Sequence, residues 1–194
     1  MTSLESALHR IAAALARSHV DFALVGGLAV SVRTEPRFTR DADLAVAVTS
    51  DAEAEALIRR LRADGYEVAA LVEQQAVGRL ATARLSIAGD AEGPVTDLLF
   101  ASSGIEREVV ASAEPIELLP GLTMNVARIE HLIALKVLSR DDERRPQDLT
   151  DLRSLLRAAT TAEVAKAREA LGLIATRGYH RGRELQSLLD ALRE

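Results

Sequence analysis

The chain has 194 residues, of which 48% are hydrophobic and 27% are charged, as in an ordinary globular protein with a sizeable core. It contains no cysteine, which excludes disulfides and thiolate metal sites, and its four scattered histidines lack the spacing of a zinc site. The net charge of −5 argues against generalised electrostatic binding to nucleic acid.

Hydrophobic periodicity and turn residues predict alternating helices and strands over the first half of the chain. Capping-box spacing, Thr2 with Glu5 and Ser50 with Glu53, marks the starts of two of the helices. The predicted elements are a helix over 3–18, a strand over 22–25, a helix over 28–32, a strand over 41–48, a helix over 51–63 and a strand over 66–72.

The second half of the chain is predicted to change from strands to helices. Residues 115–124 read as a loop with short extended pieces and mark a domain boundary. Before it we expect a hairpin of 79–88 with 95–101 and a short helix over 105–112; after it we expect helices near 127–140, 147–158, 161–176 and 180–192.

Basic residues are unevenly placed, and all but two of them are arginine. A local basic groove is one interpretation, because the guanidinium fork suits bidentate phosphate contacts. A GC-rich coding sequence, which favours arginine everywhere, is the other. The groups are Arg33 with Arg37 and Arg40, Arg140 with Arg144 and Arg145, and Arg177 with Arg181 and Arg183.

No apolar run approaches the length of a membrane span. Residues 1–7 also lack the basic-then-apolar pattern of a signal peptide. We therefore expect a cytoplasmic protein with no membrane partner.

Asp41 and Asp43 stand inside a segment that otherwise reads as a strand, although strands disfavour aspartate. Period-2 geometry points both carboxylates to one face. Carboxylates this close repel each other, and divalent cations that take hard oxygen ligands relieve the repulsion most simply. The pattern predicts a metal site; a solvated turn after residues 34–40 is the alternative, which the regular alternation that follows disfavours.

Gly26 and Gly27 lie between a short apolar strand and a helix-like run. Backbone N–H groups at such a helix start form an anion site. Metal-holding carboxylates beside a phosphate cradle are the parts that phosphoryl or nucleotidyl transfer needs, because that chemistry depends mainly on positioning and charge neutralisation.

The pattern Gly-Gly-x-Ala followed by Arg-x-Thr-x-Asp-x-Asp resembles the nucleotidyltransferases of the DNA polymerase β superfamily, in particular the toxin branch called AbiEii-like or MenT. The stretch VTDLLF, which contains Asp97, is similar to the strand that carries the third carboxylate of that superfamily. Residues 131–140 and 146–156 resemble the Lys and Asp-x-x-Asp-Leu motifs of the AbiEii-like C-terminal region. In many superfamily members serine occupies the position of Gly27.

The resemblance implies an α/β (α+β) fold. A polymerase-β-like nucleotidyltransferase domain with a mixed sheet would span residues 1–120, and a C-terminal helical domain would span 121–194. Asp41, Asp43 and Asp97 would hold two Mg²⁺ ions, with Asp97 as the ligand on the acceptor side and the nearest candidate base. The triphosphate of an NTP would lie near the two glycines and near Arg37, which matches the motif. Ser31 and Arg40 are expected to be solvated.

Lys136 falls on the apolar stripe of its helix and is predicted to point inward, where an unpaired ammonium would be costly. The resemblance assigns the matching lysine to a nucleotide triphosphate; snorkelling to solvent is the alternative. Asp148 follows Pro146 in a first helical turn, and the resemblance supports it as a site residue. A dipole or capping partner is the alternative for Asp148, and more so for Asp151.

The MenT resemblance implies transfer of nucleotides to the 3′ acceptor end of tRNA, which blocks charging, and a cognate antitoxin that keeps the cell alive. Two rival hypotheses remain: transfer to a small molecule such as an antibiotic or to a protein acceptor, and an inactive binding module with a vestigial site.

Thr39 is a candidate for regulatory phosphorylation. If the strand begins two residues before Asp41, the Thr39 hydroxyl faces the same side as the metal-binding carboxylates. A phosphate there would compete for Mg²⁺ and repel the nucleotide. Some MenT-like systems silence the toxin by phosphorylating a hydroxyl near this position. The alternative is a β-favouring residue at a strand entrance.

Overall fold

A computed structural model describes residues 3–90 and 92–192 of the chain, so Thr2 of the predicted first capping box lies outside the described residues. Within those ranges the strands are β1 (Phe22–Val25), β2 (Ala42–Val46), β3 (Tyr66–Gln74), β4 (Arg79–Ile87), β5 (Thr96–Leu99), β6 (Glu114–Leu119) and β7 (Leu122–Val126). They form one sheet in the order β3-β4-β5-β2-β1-β7-β6. Parallel and antiparallel pairs both occur, which confirms the predicted mixed sheet and the α/β class.

Four helices alternate with the strands, and the last four follow β7. They are α1 (Ser3–Arg17), α2 (Gly26–Arg33), α3 (Asp51–Ala63), α4 (Glu106–Ser112), α5 (Ile129–Ser139), α6 (Pro146–Ala158), α7 (Thr161–Thr176) and α8 (Leu185–Asp190). Ser50 caps α3 as predicted, but the Glu53 carboxylate accepts hydrogen bonds from Thr49 instead of completing the box.

Residues 115–124 form a β-hairpin, which corrects the prediction of a loop with short extended pieces. Buried and exposed side chains alternate along β7, as in a strand with one face on the core. β6 is the last strand of the sheet, and an edge strand tolerates Pro115, the residue that had suggested a loop. The turn between the strands uses Gly121 with a φ of +82°.

β7 ties the C-terminal half of the chain to the sheet. It pairs in parallel with β1, where Leu24 lies opposite Val126. The sheet therefore continues past residue 120, and the division into domains over 1–120 and 121–194 stays a prediction.

α5 anchors the helical region. Five of its apolar residues are buried in the same hydrophobic cluster as the strands, so this helix is apolar on most sides. α5 packs against α2, α6 and α7. The last turn of α5 and the first turns of α6 are thereby held next to the start of α2.

Candidate active site

Three charged side chains form a row across adjacent strands. Asp43 on β2 lies opposite Asp97 on the parallel strand β5, and Asp97 lies opposite Arg84 on the antiparallel strand β4. Neighbouring strands are about 5 Å apart, so the two carboxylates stand side by side on one face of the sheet. Arg84 donates two hydrogen bonds to Asp97, at 2.9 and 2.6 Å. This bidentate pair raises the pKa of Arg84 above its usual range.

Asp43 is the carboxylate of this row whose ionised form is disfavoured. Burial, and then repulsion from Asp97, raise the pKa of Asp43 to about 6. A Cβ atom on Gly26 would lie 1.9 Å from an Asp43 carboxylate oxygen, and Gly26 has a φ of +64°. Position 26 therefore requires glycine both for its backbone and for the space that the carboxylate occupies.

Asp41 lies one residue before β2, which corrects the prediction that the strand includes it. Ala42 is the first residue whose N–H joins the ladder, to the carbonyl of Val95. The charge of Asp41 contributes to the raised pKa of Asp43 and to that of Arg84. Thr39 also lies in the loop rather than the strand, so the strand alternation on which its predicted orientation rested does not reach it. The Thr39 hydroxyl donates to the Asp41 carbonyl at 3.5 Å.

Arg37 lies over the start of α2. A Cβ atom on Gly27 would come within 2.3 Å of an Arg37 guanidinium nitrogen, and that guanidinium is held by two hydrogen bonds to Asp151, at 2.8 and 2.9 Å. The space that a side chain at position 27 would need is thus filled by the Arg37 guanidinium, which Asp151 holds in place.

Lys136 points inward, as predicted, but it has protein partners. Its ammonium lies 2.6 Å from an Asp148 oxygen and 2.8 Å from an Asp151 oxygen. Two carboxylates from the first turns of α6 thus neutralise this buried cation, and its contact with a nucleotide triphosphate stays a prediction. The positive charge of Lys136 offsets part of the rise in the pKa of Asp43 that burial and Asp97 cause.

Asp151 is the centre of this network, although the sequence favoured a helix-dipole or capping role for it. The residue is only 2% exposed, and it accepts from Arg37, Lys136 and Gln147. Burial alone raises the pKa of Asp151, but the hydrogen bonds from Lys136 and Arg37 outweigh it and hold the pKa below the usual range. Asp151 therefore stays ionised and joins the loop before β2 to α5.

Arg84 escaped the sequence analysis, and Arg145 and Ser31 were named there without the contacts or charge effects that the structure gives them. Arg84 could have been predicted only from its position opposite Asp97. That position depends on the register of the β4–β5 hairpin. Arg145, the N-cap of α6, lowers the pKa of Asp43 by its charge. Ser31, expected to be solvated, donates to the Gly27 carbonyl and accepts from the Arg37 N–H, so it braces the loop.

Of the two strand carboxylates, Asp43 is the one whose oxygens are free to bind a divalent cation. Within residues 3–90 and 92–192 no group of three or more His, Cys, Asp or Glu side chains is arranged as a ready metal site, and both oxygens of Asp97 face Arg84. No hydrogen-bond donor in that part of the chain reaches the Asp43 carboxylate, whose pKa is raised first by burial and then by repulsion from Asp97. Hard carboxylate oxygens without a counter-ion are what Mg²⁺ binds in proteins.

Arg84 should therefore compete with the cation. We expect Arg84→Gln to tighten Mg²⁺ binding roughly 5- to 10-fold, because a positive charge leaves the site and Asp97 is released. Isothermal titration calorimetry of the nucleotide-free protein measures this. The matched control is Arg79→Gln on the same strand, whose ion pair with Asp51 lies away from the carboxylates. Unchanged or weaker Mg²⁺ binding by Arg84→Gln would contradict the competition.

Comparison with known proteins decides the family. The family model described as nucleotidyl transferase AbiEii toxin, Type IV TA system, matches residues 8–194. The chain belongs to the AbiEii nucleotidyltransferase toxin family. It is thus a nucleotidyltransferase of a toxin–antitoxin system, as the sequence motifs indicated. A search of curated proteins finds no match.

Solved structures agree on the fold. An antigenic nucleotidyltransferase-like protein from Paracoccidioides brasiliensis is 20% identical with a TM-score of 0.54, over 97% of this chain and 93% of its own. The lincosamide antibiotic adenylyltransferase LnuA with lincomycin bound is 14% identical with a TM-score of 0.53, over 80% of this chain and 98% of its own. ANT(2")-Ia in complex with adenylyl-2"-tobramycin is 18% identical with a TM-score of 0.52, over 99% of this chain and 98% of its own.

The AbiEii chain shows no sign of a membrane-spanning element where it is described. None of the helices in residues 3–90 and 92–192 combines the length and apolar character that crossing a bilayer requires.

Proposed function

We propose that this AbiEii-family chain transfers nucleotides from an NTP to the 3′ acceptor end of tRNA in the cytoplasm, and so blocks translation. The observation that carries the proposal is the pairing of two charged environments. Asp43 and Asp97 stand side by side on the sheet, and Arg37, which lies next to Gly27, shares the Asp151 carboxylate with Lys136. A triphosphate with its metal ions needs both environments.

Asp41, Asp43 and Asp97 would hold the Mg²⁺ ions, two in number by the superfamily resemblance. When bound, the ions neutralise the triphosphate and lower the pKa of the acceptor hydroxyl. Asp97 is the nearest candidate to take the proton of that hydroxyl. The acceptor oxygen then bonds the α-phosphorus, and pyrophosphate leaves.

The phosphates would lie against the first N–H groups of α2, where the helix dipole favours negative charge. At this end the Asp43 carboxylate lies against Gly26 and the Arg37 guanidinium lies against Gly27, so the guanidinium would meet the phosphates directly. Lys136 would exchange part of its bonding to Asp148 for a phosphate oxygen. Asp148 is thus proposed to hold the ammonium in place between reaction cycles.

A panel of acceptors tests the proposal against its rivals. Purified protein is incubated with each labelled NTP and Mg²⁺, and with total tRNA, a protein extract or an aminoglycoside in separate reactions. The proposal expects label on tRNA alone. Label on the aminoglycoside or on protein would favour the rival acceptors, and no label with any NTP would favour an inactive binding module.

The cognate antitoxin is proposed to silence the enzyme by phosphorylation of Thr39. The hydroxyl lies beside the Asp41 carbonyl, in a loop that precedes the carboxylates. A phosphate there adds about −1.5 to −2 charges next to the proposed Mg²⁺ ligands, which repels the nucleotide.

We expect Thr39→Glu to lower nucleotide transfer at least about tenfold without unfolding the protein. Thr123→Glu, on the exposed face of β7, is the control and should remain active. Intact-mass measurement after co-expression with the antitoxin completes the test. An inactive toxin without added phosphate, or a fully active Thr39→Glu protein, would contradict the regulatory proposal.

A further inference from the structure

Phe38 is exposed to a degree that packing does not explain. It is 80% exposed, more than any other large apolar side chain in the described ranges. The chain has only three phenylalanines. The other two are used in or against the core: Phe100 is buried, and Phe22 packs on the same cluster. One of the three phenylalanines, Phe38, is thus exposed to solvent in the loop that leads to the candidate active site.

The backbone of Phe38 is fixed rather than free. The Arg37 guanidinium donates to the Phe38 carbonyl at 3.1 Å and also makes its two bonds to Asp151. The Arg37 N–H is in turn held by Ser31. The ring is therefore presented from an anchored loop, so its exposure does not follow from a loose chain.

Arg40 completes a stacking unit. Its guanidinium carbon lies 5.6 Å from the centroid of the Phe38 ring. Aromatic rings and guanidinium planes are the two side-chain surfaces on which unstacked nucleobases pack. Phe38 is three residues from Asp41, so the backbone keeps the two Cα atoms within about 11 Å of each other. That is on the scale of one nucleotide.

We propose that Phe38, supported by Arg40, stacks on a nucleobase at the active site. The ligand class is a purine or pyrimidine ring, supplied either by the incoming NTP or by the acceptor strand. The inference rests on the proposed function for the presence of nucleotides, and it adds the surface that recognises a base rather than a phosphate. Stacking of this kind tolerates any base, so it contributes affinity more than sequence choice.

Binding measurements with three ligands test the inference. They use the full chain with an NTP, a single-stranded RNA oligonucleotide, or inorganic tripolyphosphate, which has no base. Phe38→Ala should weaken binding of the NTP or of the RNA roughly 5- to 150-fold, the cost of one lost base stack. Phe38→Leu should behave like Phe38→Ala, and Phe38→Trp should retain binding. Leu71→Ala, a change at a side chain 58% exposed on β3, is the matched control.

Each outcome decides a point. Loss confined to the NTP assigns the ring to the donor base, and loss confined to RNA assigns it to the acceptor. Unchanged binding of both, or an equal loss for tripolyphosphate, overturns the inference. A response with the NTP but no transfer to tRNA would remove the proposed acceptor and keep the stacking site. Transfer to tRNA together with unchanged binding by Phe38→Ala would keep the proposed acceptor and remove the stacking site.

Discussion

Replacing Asp43 by alanine should reduce nucleotide transfer at least about a hundredfold, the usual cost of losing one electrostatic group of an active site. Asp43 stands beside Asp97, and no hydrogen-bond donor among the described residues reaches its carboxylate. Asp41→Ala should have a comparable effect. Asp64→Ala, at the end of α3, serves as the control.

In cells, expression of the wild type should inhibit growth and expression of Asp43→Ala should not. An Asp43→Ala protein with more than about a hundredth of wild-type activity would remove Asp43 from the mechanism.

The same residue makes a separate prediction for the metal-free fold. Because the pKa of Asp43 is raised to about 6 in the folded protein, its ionisation costs stability as pH rises from the ordinary carboxyl range through 6. Asp43→Asn should therefore raise the free energy of unfolding at pH 7.5 in EDTA, by at most about 3 kcal/mol. The gain should vanish near pH 4. Urea denaturation at both pH values measures it, and Mg²⁺ should then stabilise the wild type more than Asp43→Asn.

Lys136→Ala should destabilise the protein by about 3 to 5 kcal/mol, since it leaves buried carboxylates without their shared cation. Asp148 would keep only the Ser139 hydroxyl, at 3.2 Å, and Asp151 would keep Arg37 and Gln147. Sequence reasoning alone predicts the opposite sign, a gain from removing an unpaired buried charge, and the two ion pairs reverse it. Urea denaturation at pH 7.5 is the measurement.

The chain offers a close control for this change. Lys166, its one other lysine, lies on an exposed face of α7, and Lys166→Ala should leave stability unchanged. The double variant Lys136→Ala with Asp148→Asn should recover part of the lost stability, because it also removes one of the two carboxylate charges that Lys136→Ala leaves unpaired. Lys136→Arg should bind NTP poorly, since a planar fork does not replace a compact ammonium. A Lys136→Ala protein as stable as the wild type would contradict the network.

The residues that the sequence identified are those whose geometry is local. Strand alternation and the motif spacing suffice to place Asp43 and Asp97 on strands, and helical spacing suffices to turn Lys136 inward. Gly26 also follows from local rules, because a turn with positive φ leads from β1 into α2.

The residues that it missed depend on contacts between distant segments. Asp151 is 114 positions from Arg37, and no local pattern distinguishes it from Asp148 in the same helix start. Arg84 meets Asp97 only if the loop between β4 and β5 sets that register, which a loop of this length does not dictate. Pro115 misled for a related reason, because its tolerance depends on β6 being an edge strand.

The most direct test of the central claim is the mass of a purified tRNA after incubation with the protein, each NTP and Mg²⁺. One sample keeps its 3′ hydroxyl, and the other has its terminal diol oxidised with periodate. The account predicts that only the intact tRNA gains whole nucleotide masses, that pyrophosphate is released in equal amount, and that Asp43→Ala produces neither. An unchanged tRNA mass with every NTP, or addition to the oxidised tRNA as well, would contradict it.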